Sequence, residues 1–169
     1  MTFTEAVKSV FSKYATFSGR ARRKEYWYFT LFNCIIAVIL ALLQQFVGGR
    51  FLQWITYLYE LAVLIPSLAV CCRRLHDIGR SGKWLWLLLI PLVYSLCLGV
   101  LSASLLISQP SRISPSVLIV FGLGALAMLA ICIVFIVWYC RDSQPGENMY
   151  GPNPKEIPAP PAENAPAEF

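Results

Sequence analysis

The chain has 169 residues, of which 57% are apolar and 14% charged, and it carries a net charge of +5. That size fits one domain, but the composition lies outside the soluble range, so a membrane protein is expected. The positive residues flank apolar runs of bilayer-spanning length, where Lys and Arg set topology and meet anionic head groups; nucleic acid is not expected as a partner.

Six cysteines invite a disulfide or metal reading. However, Cys34, Cys97 and Cys132 lie inside apolar runs, Cys71, Cys72 and Cys140 lie at their ends, and there is no C-x-x-C spacing. With a single histidine there is no second imidazole for zinc. Buried free thiols are expected, with no metal site and no cofactor. The first long apolar run begins near Trp27, behind a basic cluster and without a small-residue cleavage pattern. It reads as a retained anchor rather than a signal peptide.

In chain order, Thr2-Phe3-Thr4-Glu5 is a capping box that opens a helix. Apolar residues at Phe3, Ala6, Val7, Val10, Phe11 and Tyr14 recur at helical spacing, with Lys8, Ser9, Ser12 and Lys13 on other faces. The segment 1–17 is therefore expected to be an amphipathic interfacial helix, with packing against the bundle as the alternative seat for its stripe. Ser18 is placed to cap the next helix, and Glu25 to pair with Arg22 three residues earlier. Tyr26, Trp27 and Tyr28 suit the head-group boundary.

Four spans follow, at about 27–47, 54–72, 84–107 and 116–139, each near the roughly 20 residues that cross a hydrocarbon core. Pro66 interrupts the second span and Pro91 the third, and Ser67 is placed to restore contacts that proline removes. Ser114-Pro115 is a start signal for the fourth. The fold class predicted is an all-α membrane protein with four transmembrane helices, residues 18–141, behind the amphipathic helix. Residues 142–154 form a turn-rich motif, and 155–169, dominated by Pro, Ala and Glu, a disordered tail.

With both termini and the 73–83 hinge on one side, that side receives Lys8, Lys13, Arg20, Arg22, Arg23, Lys24, Arg73, Arg74, Arg80, Lys83, Arg141 and Lys155, against Arg50 and Arg112 on the other. The positive-inside rule then places the termini and hinge in the cytoplasm.

Three polar stretches carry a resemblance over nearly the whole chain up to Pro154. They are Phe17-Ser18-Gly19-Arg20-Ala21-Arg22-Arg23-Lys24-Glu25-Tyr26-Trp27, then Pro66 to Val70 leading into Arg73-Arg74-Leu75-His76-Asp77 and Gly79-Arg80-Ser81-Gly82, and finally Asp142-Ser143 with Gly146, Asn148, Tyr150-Gly151 and Asn153-Pro154. Together they resemble the DUF805 family, small bacterial inner-membrane proteins of no established biochemical function. Lys83 departs from the pattern, which implies an apolar residue there. The resemblance implies an address and an architecture, but no reaction.

On the derived topology the three stretches share the cytoplasmic face, where short-bundle helix ends lie close enough to form one polar cap. Asp77 and Asp142 are expected to pair with arginines of other motifs, with His76, Asn148 and Tyr150 helping to lock the cap. Arg20, Arg22, Arg23, Arg73, Arg74, Arg80 and Lys83 are candidates for binding an anion or the head groups of membrane lipids; the plainer alternative is topology charges around a glycine turn. Gly79 to Lys83 is too short for a P-loop and lacks its Ser or Thr. No catalytic residue is assigned, because His76 and Asp77 are adjacent and no nucleophile stands beside them. Glu60, a carboxylate inside an apolar span, suggests a small ion or solute transporter, or else it reaches the interface or bonds Tyr57, Gln44 or Gln45.

Overall fold

Residues 1–108 and 115–156 are described by the computed structural model. Among them, α1 spans Phe3–Ser12, α2 Arg23–Val47 and α3 Arg50–Asp77. A 3-10 helix at Gly82–Leu88 runs directly into α4, Leu89–Ser108, and α5 spans Pro115–Cys140. Four segments are long and apolar enough to cross a membrane: Arg23–Val47, Arg50–Asp77, Gly82–Leu101 and Ile119–Cys140. The protein is an all-α, multi-pass membrane protein. Arg112, Ser114 and residues 157–169 of the tail lie outside the described residues.

Helix α1 begins at the capping box: Thr2 accepts from the Glu5 amide at 3.4 Å, and the Glu5 carboxylate accepts from the Thr2 amide at 2.9 Å. Part of its stripe packs against protein. Ala6 and Val10 are fully buried, and Phe11 meets Phe29 and Phe32 of α2 edge-on at 5.6 and 6.1 Å. The Tyr14 hydroxyl donates to the Ala62 carbonyl of α3. The helix packs on the bundle through Ala6 and Val10, while Phe3, Phe11 and Tyr14 of the same stripe each keep more than a third of their surface exposed.

Helix α2 starts at Arg23, with Arg22 as an extended N-cap residue that supplies no side-chain bond. Ser18 therefore does not cap it. Because Arg22 is not on the helical face, its expected pairing with Glu25 does not form either, and Glu25 bonds elsewhere. Asn33 and Tyr59 tie α2 to α3 within the span, the tyrosine hydroxyl donating at 2.8 Å.

The second span extends beyond the expected 54–72 at both ends. Helix α3 carries Arg73 through Asp77 as regular helix, so the hinge is shorter than its composition suggests. It stops in a Schellman turn: the Gly79 amide bonds the His76 carbonyl at 3.0 Å and the Arg80 amide the Leu75 carbonyl at 2.9 Å. Gly79 takes the left-handed conformation this requires, at φ +74°. Pro91 lies in the first turn of α4, just after the 3-10 segment.

Burial is concentrated at one end of the bundle. Val10, Ala21, Phe29 and Val70 form one cluster there, and Leu75, Phe135 and Tyr139 another. Away from it the helices present apolar side chains outward, as lipid-facing surfaces do: Phe46 is 83% exposed and Leu96 67%. The cysteines follow the same rule. All six are free, but Cys34, Cys97, Cys132 and Cys140 are exposed and Cys72 alone is buried, which corrects the expectation of buried thiols. An apolar run does not say which face of a helix meets lipid.

Candidate functional site: an ion-paired polar cap

The buried end of the bundle is where the start of α2, the end of α3 and the end of α5 meet. At its centre is Asp77, with no exposed surface. Its Oδ1 accepts from Arg20 Nε at 3.0 Å; its Oδ2 accepts from Arg74 Nη1 at 2.5 Å and from the Ser143 hydroxyl at 2.6 Å. These groups come from the 13–22 connection, α3 and the segment after α5. A carboxylate held by two guanidinium groups satisfies the rule that buried charge must be paired and hydrogen-bonded.

The two arginines extend the lock. Arg20, itself buried, donates from Nη1 to the Gly146 carbonyl at 2.8 Å and from Nη2 to the Gln144 carbonyl at 2.6 Å. Arg74 reaches the last turn of α5, donating to the Tyr139 carbonyl at 3.2 Å and to the Arg141 carbonyl. A cation at unsatisfied helix-terminal carbonyls is favourable. Backbone pairing completes the joint, with the Gln144 amide on the Asp77 carbonyl at 2.9 Å.

His76 points the other way. Its Nδ1 lies 3.2 Å from the Gly19 carbonyl, and its ring stacks on Tyr150 with centroids 3.8 Å apart. Asn148 donates to the His76 carbonyl at 3.0 Å and accepts from the Tyr150 amide at 2.9 Å. Asp142 is outside this interior: it pairs with Arg23 at 3.3 Å and with Lys155. The Lys155 ammonium, then the Ser143 amide, hold the Asp142 carboxyl below the usual carboxylate range.

A second buried pair joins α2 to α3. Arg73 Nη1 donates to Glu25 Oε1 at 3.0 Å, and Ser9 of α1 donates to the same oxygen at 3.1 Å. Arg73 Nε and Nη2 are buried without an acceptor among the described residues. Leaving buried donors unmade costs about 1–3 kcal/mol, and the Tyr139 hydroxyl is a second buried group of the cap without a partner among the described residues.

The candidate anion-binding arginines thus divide. Arg20 and Arg74 are buried and bonded within the protein; Arg23 is half engaged, at the Cys140 carbonyl and Asp142. Arg80 lies over the Trp138 ring at 4.1 Å and the Trp84 ring at 5.7 Å, a cation–π arrangement. Arg22 is half-buried and Lys83 exposed. The hinge glycines are tight for protein reasons: a Cβ on Gly79 would come 2.6 Å from Gln144 Oε1, and one on Gly82 2.3 Å from Cys72 Sγ. Glu60 is exposed on α3, roughly 15 Å along the helix from Arg50, and Gln44 bonds Thr56 instead of it. Among the described residues no group of three His, Cys, Asp or Glu could hold a metal ion.

Sequence reasoning missed three participants. Glu25 was visible, but local spacing offers only Arg22 as its partner. Ser143 stands in a stretch that carries the family resemblance, but nothing local points from it to Asp77, and Gln144 carries no signal of its own.

The family profile described as "Protein of unknown function (DUF805)" matches residues 14–152. The inner membrane protein YhaI of Escherichia coli K12 is 35% identical over 147 residues, covering 87% of this chain and 92% of the relative. The inner membrane protein YhaH of the same strain is 34% identical over 152 residues, covering 88% and 95%. No solved structure matches. The profile takes in every residue of the Asp77 lock and the Arg73–Glu25 pair.

Proposed function

The chain belongs to the DUF805 family, and from that premise we propose that it is a structural or regulatory protein of the bacterial inner membrane whose cap engages anionic lipid head groups. Both termini and the cap lie in the cytoplasm, on the twelve-to-two distribution of Lys and Arg between the two sides. The observation that carries the lipid reading is a groove of about 370 Å³ lined by Lys83, Trp84, Trp86, Leu87 and Ile90. It sets an exposed ammonium beside two indole rings and aliphatic side chains. An acidic head group matches the first, and the head-group boundary and acyl chain match the others. Cationic Arg22, Lys24 and Arg141 stand at the same end of the bundle and add to the field.

Native mass spectrometry of the protein released from nanodiscs tests this. Phosphatidylglycerol is expected to be retained in preference to phosphatidylcholine, and K83Q to weaken retention by about fivefold, the effect of roughly one surface charge. Equal retention of both lipids, or unchanged retention in K83Q, would overturn the reading.

A further inference from the structure

Pro66 stands inside α3, one turn beyond Ala62, and is fully buried. Proline has no N–H, so the Ala62 carbonyl lacks the partner that residue 66 supplies in an unbroken helix. That carbonyl belongs to a residue 11 positions before Arg73, about 16 Å along α3. It therefore lies at the depth of the hydrocarbon core, where no water completes a bare backbone group. The Tyr14 hydroxyl takes the empty place and donates to it. The donor comes from the residue just past the C-cap of α1, and not from Ser67, the sequence neighbour placed for that duty.

One hydrogen bond thus sets the depth of the N-terminal helix, and the sides of that helix agree with it. Ala6 and Val10 pack on the bundle, while Thr4, Lys8 and Ser12 form an exposed polar side. Between these sides Phe3, Val7 and Phe11 follow one another at four-residue spacing, and Tyr14 continues the row. Phe3, Phe11 and Tyr14 stay exposed. Phe3 meets Tyr28 of α2 at 6.0 Å and Phe11 meets Phe32, and beside those contacts Leu31 and Ile35 of the first span are exposed as well. The outward apolar surface of the span therefore continues onto α1. Aromatic rings at that depth, with a lysine on the adjoining side, suit acyl chains below and lipid phosphates above.

We propose that α1 lies in the cap-side leaflet with its Phe3, Val7, Phe11 and Tyr14 row against acyl chains, and that Tyr14 pins it there through the carbonyl freed by Pro66. The surface is distinct from the Lys83 groove and does not depend on head-group charge. The proline of the second span and the seat of α1 form one joint, in which α3 offers the spare acceptor and the residue after α1 the donor.

The lipid seat is tested on the unaltered full chain in nanodiscs of phosphatidylethanolamine and phosphatidylglycerol, doped with a phosphatidylcholine that carries a diazirine midway along one acyl chain. Irradiation, digestion and mass spectrometry map the adducts. They are expected on residues 3–14 as well as on the spans; labelled spans with an unlabelled 3–14 segment overturn the seat. The pin is tested by the rate of tryptic cleavage after Lys8 and Lys13 in the same nanodiscs, which follows the population of undocked α1. Y14F removes only the hydroxyl and is expected to raise that rate about fivefold, the equivalent of one net hydrogen bond. In P66A the helix closes its own bond onto Ala62, so Y14F is expected to add less than about twofold there. An unchanged rate in Y14F, or an equal effect of Y14F with and without Pro66, overturns the pin.

Discussion

Replacing Asp77 by asparagine is expected to destabilise the protein in detergent by about 3–5 kcal/mol, the cost of leaving buried charges without their counter-ion. The substitution would preserve the volume but remove the charge that faces Arg20 and Arg74, both buried. The new amide would also turn its NH2 group toward one of the two guanidinium groups, which only donate. The Ser143 hydroxyl, 2.6 Å from Oδ2, can donate or accept and would turn to suit the amide. Chemical unfolding followed by circular dichroism reads the loss, and a midpoint equal to that of the wild type would contradict the assignment of Asp77 as the lock.

Arg20→Lys keeps the charge and is expected to cost about 3 kcal/mol, because the bonds it removes lie in the buried cap. The arginine contacts Asp77 through Nε and the carbonyls of Gln144 and Gly146 through its two terminal nitrogens, an arrangement that one ammonium on a flexible stem cannot reproduce. The effect is directional. Residues 142–156 depend on Arg20 more than the spans do, so limited proteolysis is expected to cut this segment faster in R20K while the helical signal persists. Wild-type cleavage rates would show that the segment is held by other contacts.

Much of the fold was legible because membrane spans are written in composition. The capping box at Thr2, the four apolar runs and the start of α5 at Pro115 each follow from local chemistry that a neighbouring turn decides. What local chemistry could not decide was partnership. Glu25 sits three residues from Arg22 and 48 from Arg73, yet it bonds the distant one, because the helix begins after Arg22 and α3 runs on past Cys72. The same extension turned Arg73 and Arg74 from solvated loop charges into the largest fully buried side chains of the cap. Gly79 and Gly82 were recognisable as turn residues, but their need for close approach to Gln144 and Cys72 depends on chain segments the local pattern does not contain. Sequence therefore located the cap and named most of its residues, while burial and pairing required the folded chain.

The central claim is that the connection before α2, the end of α3 and the segment after α5 are fastened through one buried carboxylate. A double-mutant cycle on Arg20 and Asp77 measures it most directly, by unfolding wild type, R20K, D77N and the double variant in one detergent. If the two side chains act through each other, the double variant is less destabilised than the sum of the single ones by at least about 1 kcal/mol. Losses that add within error would contradict the lock.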